Sequence, residues 1–141
     1  MSKRVFELFL FDIYIAILKI EFISKKFNNS EALKHDFISW DSVIREFEIM
    51  GEATNILIKN NMLKKENQIV VDFRNLLAHH YFGIDSDEIW DVIHNDLKVY
   101  KKLIIDKIQI MEEELKSELI NDISNENSHI EFIVEALKQI K

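Results

Sequence analysis

The chain has 141 residues and a net charge of −7, with 48% hydrophobic residues, two glycines, no proline and no cysteine. That length suits one domain with a substantial core, and the missing cysteines exclude a disulfide framework or a thiolate zinc site. A β-rich fold uses glycine and proline to turn its strands, so their scarcity predicts an all-α chain of long helices joined by short polar connections.

A first helix is expected over about Lys3 to Phe27. Phe6, Phe9, Leu10, Ile13, Ile17 and Ile20 line one side of it, and Leu8, Phe11, Ile15 and Phe22 carry the apolar surface nearly all the way round. Such a helix is buried on most faces, which in a small bundle demands a central position or a partner subunit. It does not read as a membrane anchor. Glu7, Asp12, Lys19 and Glu21 interrupt it, and its longest uncharged run, Ile13 to Leu18, is far short of the ~20 residues that span a bilayer. A signal peptide needs a longer uncharged run than this. The expectation is a cytoplasmic protein without a membrane segment.

Asn28-Asn29-Ser30 forms a turn able to cap a second helix over about Glu31 to Lys59. Phe37, Trp40, Ile44, Phe47, Gly51, Thr54 and Ile58 recur at spacings of three and four and make one stripe. Gly51 lies on that stripe. A helical glycine costs about 1 kcal/mol against alanine, so a close backbone approach is the expected compensation. The polar stretch Asn60 to Asn67 leads to a shorter helix over about Gln68 to Ala78, which Phe82-Gly83-Ile84 breaks. Asp85-Ser86-Asp87-Glu88 has the acids and the Asp-x-x-Glu spacing of a helix start. A long fourth helix is expected from about Ser86 to Leu119, with Ile93, Leu97, Tyr100, Ile104, Ile108, Met111 and Leu115 as its stripe. Asn121 to Asn127 should bend, and Ile130 to Ile140 should close the chain as a short amphipathic helix.

From Glu112 onward there are eight acids and three bases, so this tail carries −5 and the rest of the chain −2. The organisation expected is a helical bundle over residues 1–120 and an acidic helical extension over 121–141 packed on the same domain. A broad duplex-binding surface would be basic and is excluded. A small site built from a few focused cations is not.

Such a site is visible at Arg74-Asn75-Leu76-Leu77-Ala78-His79-His80-Tyr81. RNA cleavage through the 2′-hydroxyl needs a base for the 2′ proton, an acid for the leaving 5′ oxygen, and a cation for the charge on phosphorus. Histidine serves the first two because it titrates near neutrality. Arginine serves the third because its fork matches two phosphate oxygens. No metal is needed, and no carboxylate-rich metal site is evident in the sequence. Spacing sets a constraint: on a straight helix Arg74 and His79 lie ~140° apart. Either the helix ends near Ala78 and lets His79 swing back, or a second subunit completes the site across a two-fold axis.

Arg74-Asn75-x-x-x-His79-x-Tyr81 resembles the Arg-x4-His-x-Tyr signature of HEPN-domain ribonucleases, and more narrowly the HepT toxin family. Ile49-Met50-Gly51-Glu52-Ala53 resembles that family's apolar-Gly-Glu-Ala segment. Tyr81-Phe82-Gly83-Ile84-Asp85 with Ile89-Trp90 resembles its Tyr-Phe-x-x-Asp and downstream Val/Ile-Trp pattern. The likeness covers about Phe37 to Ile105. One departure is Gln68-Ile69-Val70-Val71-Asp72, which stands where the family often has Pro-Trp. The resemblance implies an HEPN-type bundle of four to five helices that dimerises with its motifs in a cleft between protomers. It implies a metal-independent endoribonuclease toxin with Arg74 and His79 catalytic, Asn75 supporting, and no cofactor. It also implies a minimal nucleotidyltransferase antitoxin that transfers AMP from ATP to Tyr81, placing bulk and negative charge where an RNA phosphate should bind.

Plainer readings stand beside these. Arg74 could pair with Asp72 or Asp85 on the helix surface, Asn75 could cap a turn, and Tyr81 could be an interface aromatic with a satisfied hydroxyl. His80 reads as a surface residue or a second proton-transfer group. Gly51-Glu52-Ala53 reads as a helix-packing site. At the level of the whole chain, the alternative is a non-catalytic helical module of the same fold that pairs with a nucleotidyltransferase.

Overall fold

The computed structural model describes residues 3–79 and 83–140, with side chains from Phe6 onward. Helices, turns and connections account for all of the described residues, so the all-α expectation holds. The first helix, α1 (Lys3–Ser24), is the axis of the molecule. Phe11, Ile13, Ile17 and Ile20 on it are fully enclosed, and Leu10, Tyr14, Ala16 and Leu18 nearly so. Those positions span about 220° of the helix, so α1 is buried on most of its faces and packs against α3 and α6, while Asp12 is exposed and Leu8, Ile15 and Lys19 half-buried on the remaining side. Its outermost ring, Phe22, stacks on Phe132 with centroids 4.2 Å apart and carries the Lys26 ammonium 4.9 Å above it.

The expected second helix is two helices. Asn29 caps α2 (Ser30–His35), its side chain accepting from the Ala32 amide at 2.8 Å. Asp36 then leaves the helical conformation (φ −96°, ψ 95°) and caps α3 (Phe37–Lys59), accepting from the Ser39 amide at 3.1 Å. Asp competes for backbone amides in this way and is favoured at an N-cap, so one residue both ends α2 and starts α3. On α3, Trp40, Ile44, Phe47, Gly51 and Thr54 are buried as the stripe requires, while Phe37 at its start is exposed.

A 3-10 turn (Lys65–Asn67) leads into α4 (Gln68–His79), which packs along α3. Asp85 caps α5 (Ser86–Asp91) by accepting from the Asp87 amide at 2.9 Å, as its sequence signature predicts. The Ser30 hydroxyl donates to the Asp87 carboxylate and ties α2 to α5.

The long fourth helix is also interrupted. A π-helical segment (Val92–Asp96) separates α5 from α6 (Leu97–Gln109). A break at Ile110–Glu112 separates α6 from α7 (Glu113–Glu126), and α8 (Glu131–Lys138) follows. The bend expected over Asn121 to Asn127 falls at its late end: α7 runs to Glu126 and the chain turns over residues 127–130 before α8. Ile93, Leu97, Tyr100, Ile104, Ile108 and Met111 are buried in register, after which Leu119 and Ile123 take over from the half-buried Leu115. Lys116 explains the break. It is 3% exposed although it belongs to the acidic tail segment. Its ammonium donates to the Gln109 carbonyl at the end of α6 (3.1 Å) and meets Glu113 at 3.0 Å. A cation on the carbonyl end of a helix is favoured both as hydrogen-bond donor and against the helix dipole. Ile133 and Leu137 bring α8 onto the same core.

No helix among the described residues is long and apolar enough to cross a membrane.

Candidate functional site

The residues singled out by the sequence sit on α4, which stays helical through His79. Arg74 and His79 are thus five residues apart on one continuous helix, about 140° around it and roughly 8–9 Å along and across it. The helix does not end at Ala78, and within one chain the two side chains leave from different faces.

Those faces have different environments. Gln68, Ile69, Asp72, Asn75, Leu76 and His79 fall within an arc of about 120°, and all six are exposed, Ile69 at 72% and Leu76 at 40%. This is an uncovered surface in which two large apolar side chains flank an amide and an imidazole. Arg74 lies on the opposite side of α4, toward α3, and is half-buried. Among the described residues no carboxylate pairs with it. Asp72 instead meets the Gln68 amide at 3.3 Å, and Asp85 is committed to capping α5. The plain reading of Arg74 as a surface ion-pair residue is not what the chain adopts.

What meets Arg74 is Gly51. A Cβ built on Gly51 would lie 2.3 Å from Arg74 Cβ and 2.6 Å from Arg74 Cγ, with the Val70 carbonyl at 3.5 Å. The close approach expected at this glycine is present, but it admits the stem of an arginine rather than bare backbone. The Arg74 Nε–H is enclosed and has no hydrogen-bond partner among the described residues. Buried donors are nearly always paired, so an orphan on the proposed phosphate-binding residue calls for an explanation. Phe73, the neighbour of Arg74, fixes the same seam by meeting Phe47 of α3 edge-on at 5.2 Å.

A cleft of about 240 Å³ opens between the outer half of α4 and α5, lined by Phe73, Leu76, Leu77, Ile84, Asp85 and Glu88 among others. Its walls are apolar and its rim carries two carboxylates. His80, Tyr81 and Phe82 lie outside the described residues, so the expectation for Tyr81 as the modified residue and the alternatives for His80 find no geometry here. Among the described residues no three His, Asp or Glu side chains cluster as metal ligands.

On the far side of the bundle a second groove, about 340 Å³, lies between α1, α3 and α7 and holds Asp12, Lys19, Glu46 and Glu126. Burial raises the Glu46 carboxyl above the usual carboxylate range, partly offset by Lys19 and Arg45. Burial also raises Asp12, and the Glu126 charge adds to it. Sequence reasoning passed over this cluster because its members come from three helices.

An all-helical bundle that presents Arg-x4-His on one amphipathic helix, backed by an apolar-Gly-Glu-Ala helix, is the architecture of an HEPN-type nuclease. The family model described as "Ribonuclease HepT-like" matches residues 13–108, and the chain belongs to that family. The chain is 34% identical over 106 residues to the Methanocaldococcus jannaschii protein named "Putative RNase MJ1380", covering 72% of this chain and 95% of that one. A second protein of that organism, "Putative RNase MJ0127", is 32% identical over 114 residues, covering 75% and 93%. No solved structure matches the chain.

Proposed function

We propose that the protein is a metal-independent endoribonuclease, the toxin of a toxin–antitoxin pair, with Arg74 and His79 as its catalytic residues. The observation that carries this reading is the state of Arg74: half-buried, unpaired by any described carboxylate, and with an orphan Nε–H. A cation held this way without a counterion is suited to an anion supplied from outside. In the reaction His79 accepts the 2′-hydroxyl proton, the 2′ oxygen bonds to phosphorus, and the P–O5′ bond breaks. Arg74 holds the non-bridging oxygens while charge builds on them. The leaving O5′ takes a proton from water, whose hydroxide the His79 imidazolium neutralises, giving a 2′,3′-cyclic phosphate and a 5′-hydroxyl. Asn75, one residue on from Arg74 and on the same exposed face as His79, supports the phosphate or the imidazole.

One helix cannot bring Arg74 and His79 of the same chain together, so the active form is a homodimer. In that dimer Arg74 of one protomer works with His79 of the other, and the exposed Ile69 and Leu76 of α4 offer apolar contact to the second copy. The family likeness supports the remaining parts of the reading. A minimal nucleotidyltransferase uses ATP to attach AMP to Tyr81, the phenol oxygen displacing pyrophosphate, and the added phosphate and base then keep RNA from Arg74. Cleavage of RNA in EDTA tests the nuclease. A gain of one AMP in intact mass with the partner and ATP, lost in Tyr81→Phe, tests the off-switch; no gain would sink it. The wide separation of Arg74 and His79 within one chain also favours a second reading, a non-catalytic module that pairs with the nucleotidyltransferase. A purified homodimer that cleaves no RNA would select it.

A further inference from the structure

We infer that Gly51 is a positioning residue for Arg74: by lacking a side chain it admits the Arg74 stem against α3, holding the guanidinium in one orientation before RNA arrives. The inference rests on Arg74 as the phosphate binder. Three observations carry it. The Arg74 Cβ and Cγ occupy space that any other residue at position 51 would claim, at 2.3 and 2.6 Å from its Cβ. These two atoms are the near end of the side chain, next to the α4 backbone, so they cannot swing aside as a flexible terminus could. The next group out, Nε–H, is enclosed with no partner among the described residues, so packing against α3 holds the stem. The chain thus fixes its arginine without a carboxylate, which would have neutralised the charge that the phosphate needs. With stem and Nε enclosed, the terminal nitrogens are left to face the ligand. A cation preoriented in this way loses little entropy on binding and needs no rearrangement as charge develops on phosphorus.

Only three arginines are present, Arg4, Arg45 and Arg74, so the Nε–H groups of ¹⁵N-labelled full-length protein are few enough to resolve by NMR, with Arg74→Lys assigning the relevant one. The Arg74 Nε–H should exchange with water at least about tenfold more slowly than that of Arg45, whose side chain is 61% exposed, and should shift when inorganic phosphate is added. Gly51→Ala should abolish the slow exchange and lower kcat for RNA cleavage by about 10- to 100-fold, with KM changed less than about threefold and far-UV circular dichroism retained. If Arg74→Ala is as active as wild type, the phosphate-binding reading itself fails, and this inference with it. If Arg74→Ala is inactive but Gly51→Ala keeps native kcat, or the wild-type Nε–H exchanges as fast as that of Arg45, the positioning role alone is wrong. Should Gly51→Ala fail to fold, the wild-type exchange rate and the phosphate shift decide the matter by themselves.

Discussion

The buried pair Thr54–Tyr100 offers the sharpest test of how α3 is held in place behind the site. Thr54 lies one turn beyond Gly51, is fully enclosed, and its hydroxyl meets the Tyr100 hydroxyl of α6 at 2.6 Å. α3 is therefore fixed by α4 at Gly51 and by α6 at Thr54. Tyr100→Phe keeps the ring and makes no cavity, but it strands the Thr54 hydroxyl, which can turn only to the carbonyl one helical turn back; the cost should be about 1 kcal/mol. Thr54→Val strands the phenol, which has no such refuge, and should cost about 2 kcal/mol. The double variant removes both polar groups and should cost about 1 kcal/mol or less, so the coupling is about 2 kcal/mol. At roughly 3 °C per kcal/mol for a chain of this size, thermal and urea unfolding of the four proteins resolves the cycle. The same pair sets a pH dependence. Burial pushes the Tyr100 phenol up from 10.0 to about 12, against a small lowering by Thr54. Above pH 10 the unfolded phenol ionises while the folded one stays neutral. The stabilisation is therefore complete below pH 10 and lost as pH rises toward 12, by at most about 3 kcal/mol. Tyr100→Phe should flatten that alkaline slope. Additive single variants, or an unchanged slope, would refute the reasoning.

Three further outcomes are expected. Glu46→Gln should raise the melting temperature at pH 7, because burial makes the folded carboxylate costly. The folded group is raised above 4.5, so its stabilising share is present below that pH and lost above it, and the gain from Gln should vanish in melts below about pH 4.5; a destabilised variant at pH 7 would contradict this. Ser30→Ala removes the hydroxyl that donates to Asp87 and should cost about 1–2 kcal/mol in urea titration. That is the low end for a bond to a charged group, since Asp87 is exposed and rehydrates. Mixing inactive Arg74→Ala and His79→Ala proteins should restore about a quarter of wild-type cleavage once subunits exchange. Half the dimers are then mixed, and each has one site with both groups intact across the two-fold axis; no recovery would argue against a shared site.

The sequence made the long-range skeleton legible because periodicity reports burial directly. The apolar surface of α1 called for a central place or a partner subunit, and the stripe from Ile93 to Met111 is buried in register. Gly51 could be recognised as a point of close approach, though not that Arg74 would fill it, since no local signal tells which neighbour enters a gap. The breaks were harder to see. Asp36 separates α2 from α3 just before the apolar stripe begins at Phe37, so the periodicity carried no sign of the break, which one cap residue makes. Nothing in the local sequence marks Lys116 for burial, because one of its partners, the carbonyl of Gln109, lies across a helix break. The helix-geometry constraint on Arg74 and His79 was readable from their spacing, and α4, continuous through His79, keeps the two residues on different faces of one helix.

Cleavage of RNA by the purified protein in EDTA, with intact mass showing no attached AMP, is the most direct measurement. The expected result is RNA carrying 2′,3′-cyclic phosphate and 5′-hydroxyl ends, with Arg74→Ala and His79→Ala each slower by at least about 100-fold. Cleavage that requires an added metal ion, or that proceeds at the wild-type rate in either variant, would contradict Arg74 and His79 as the catalytic pair.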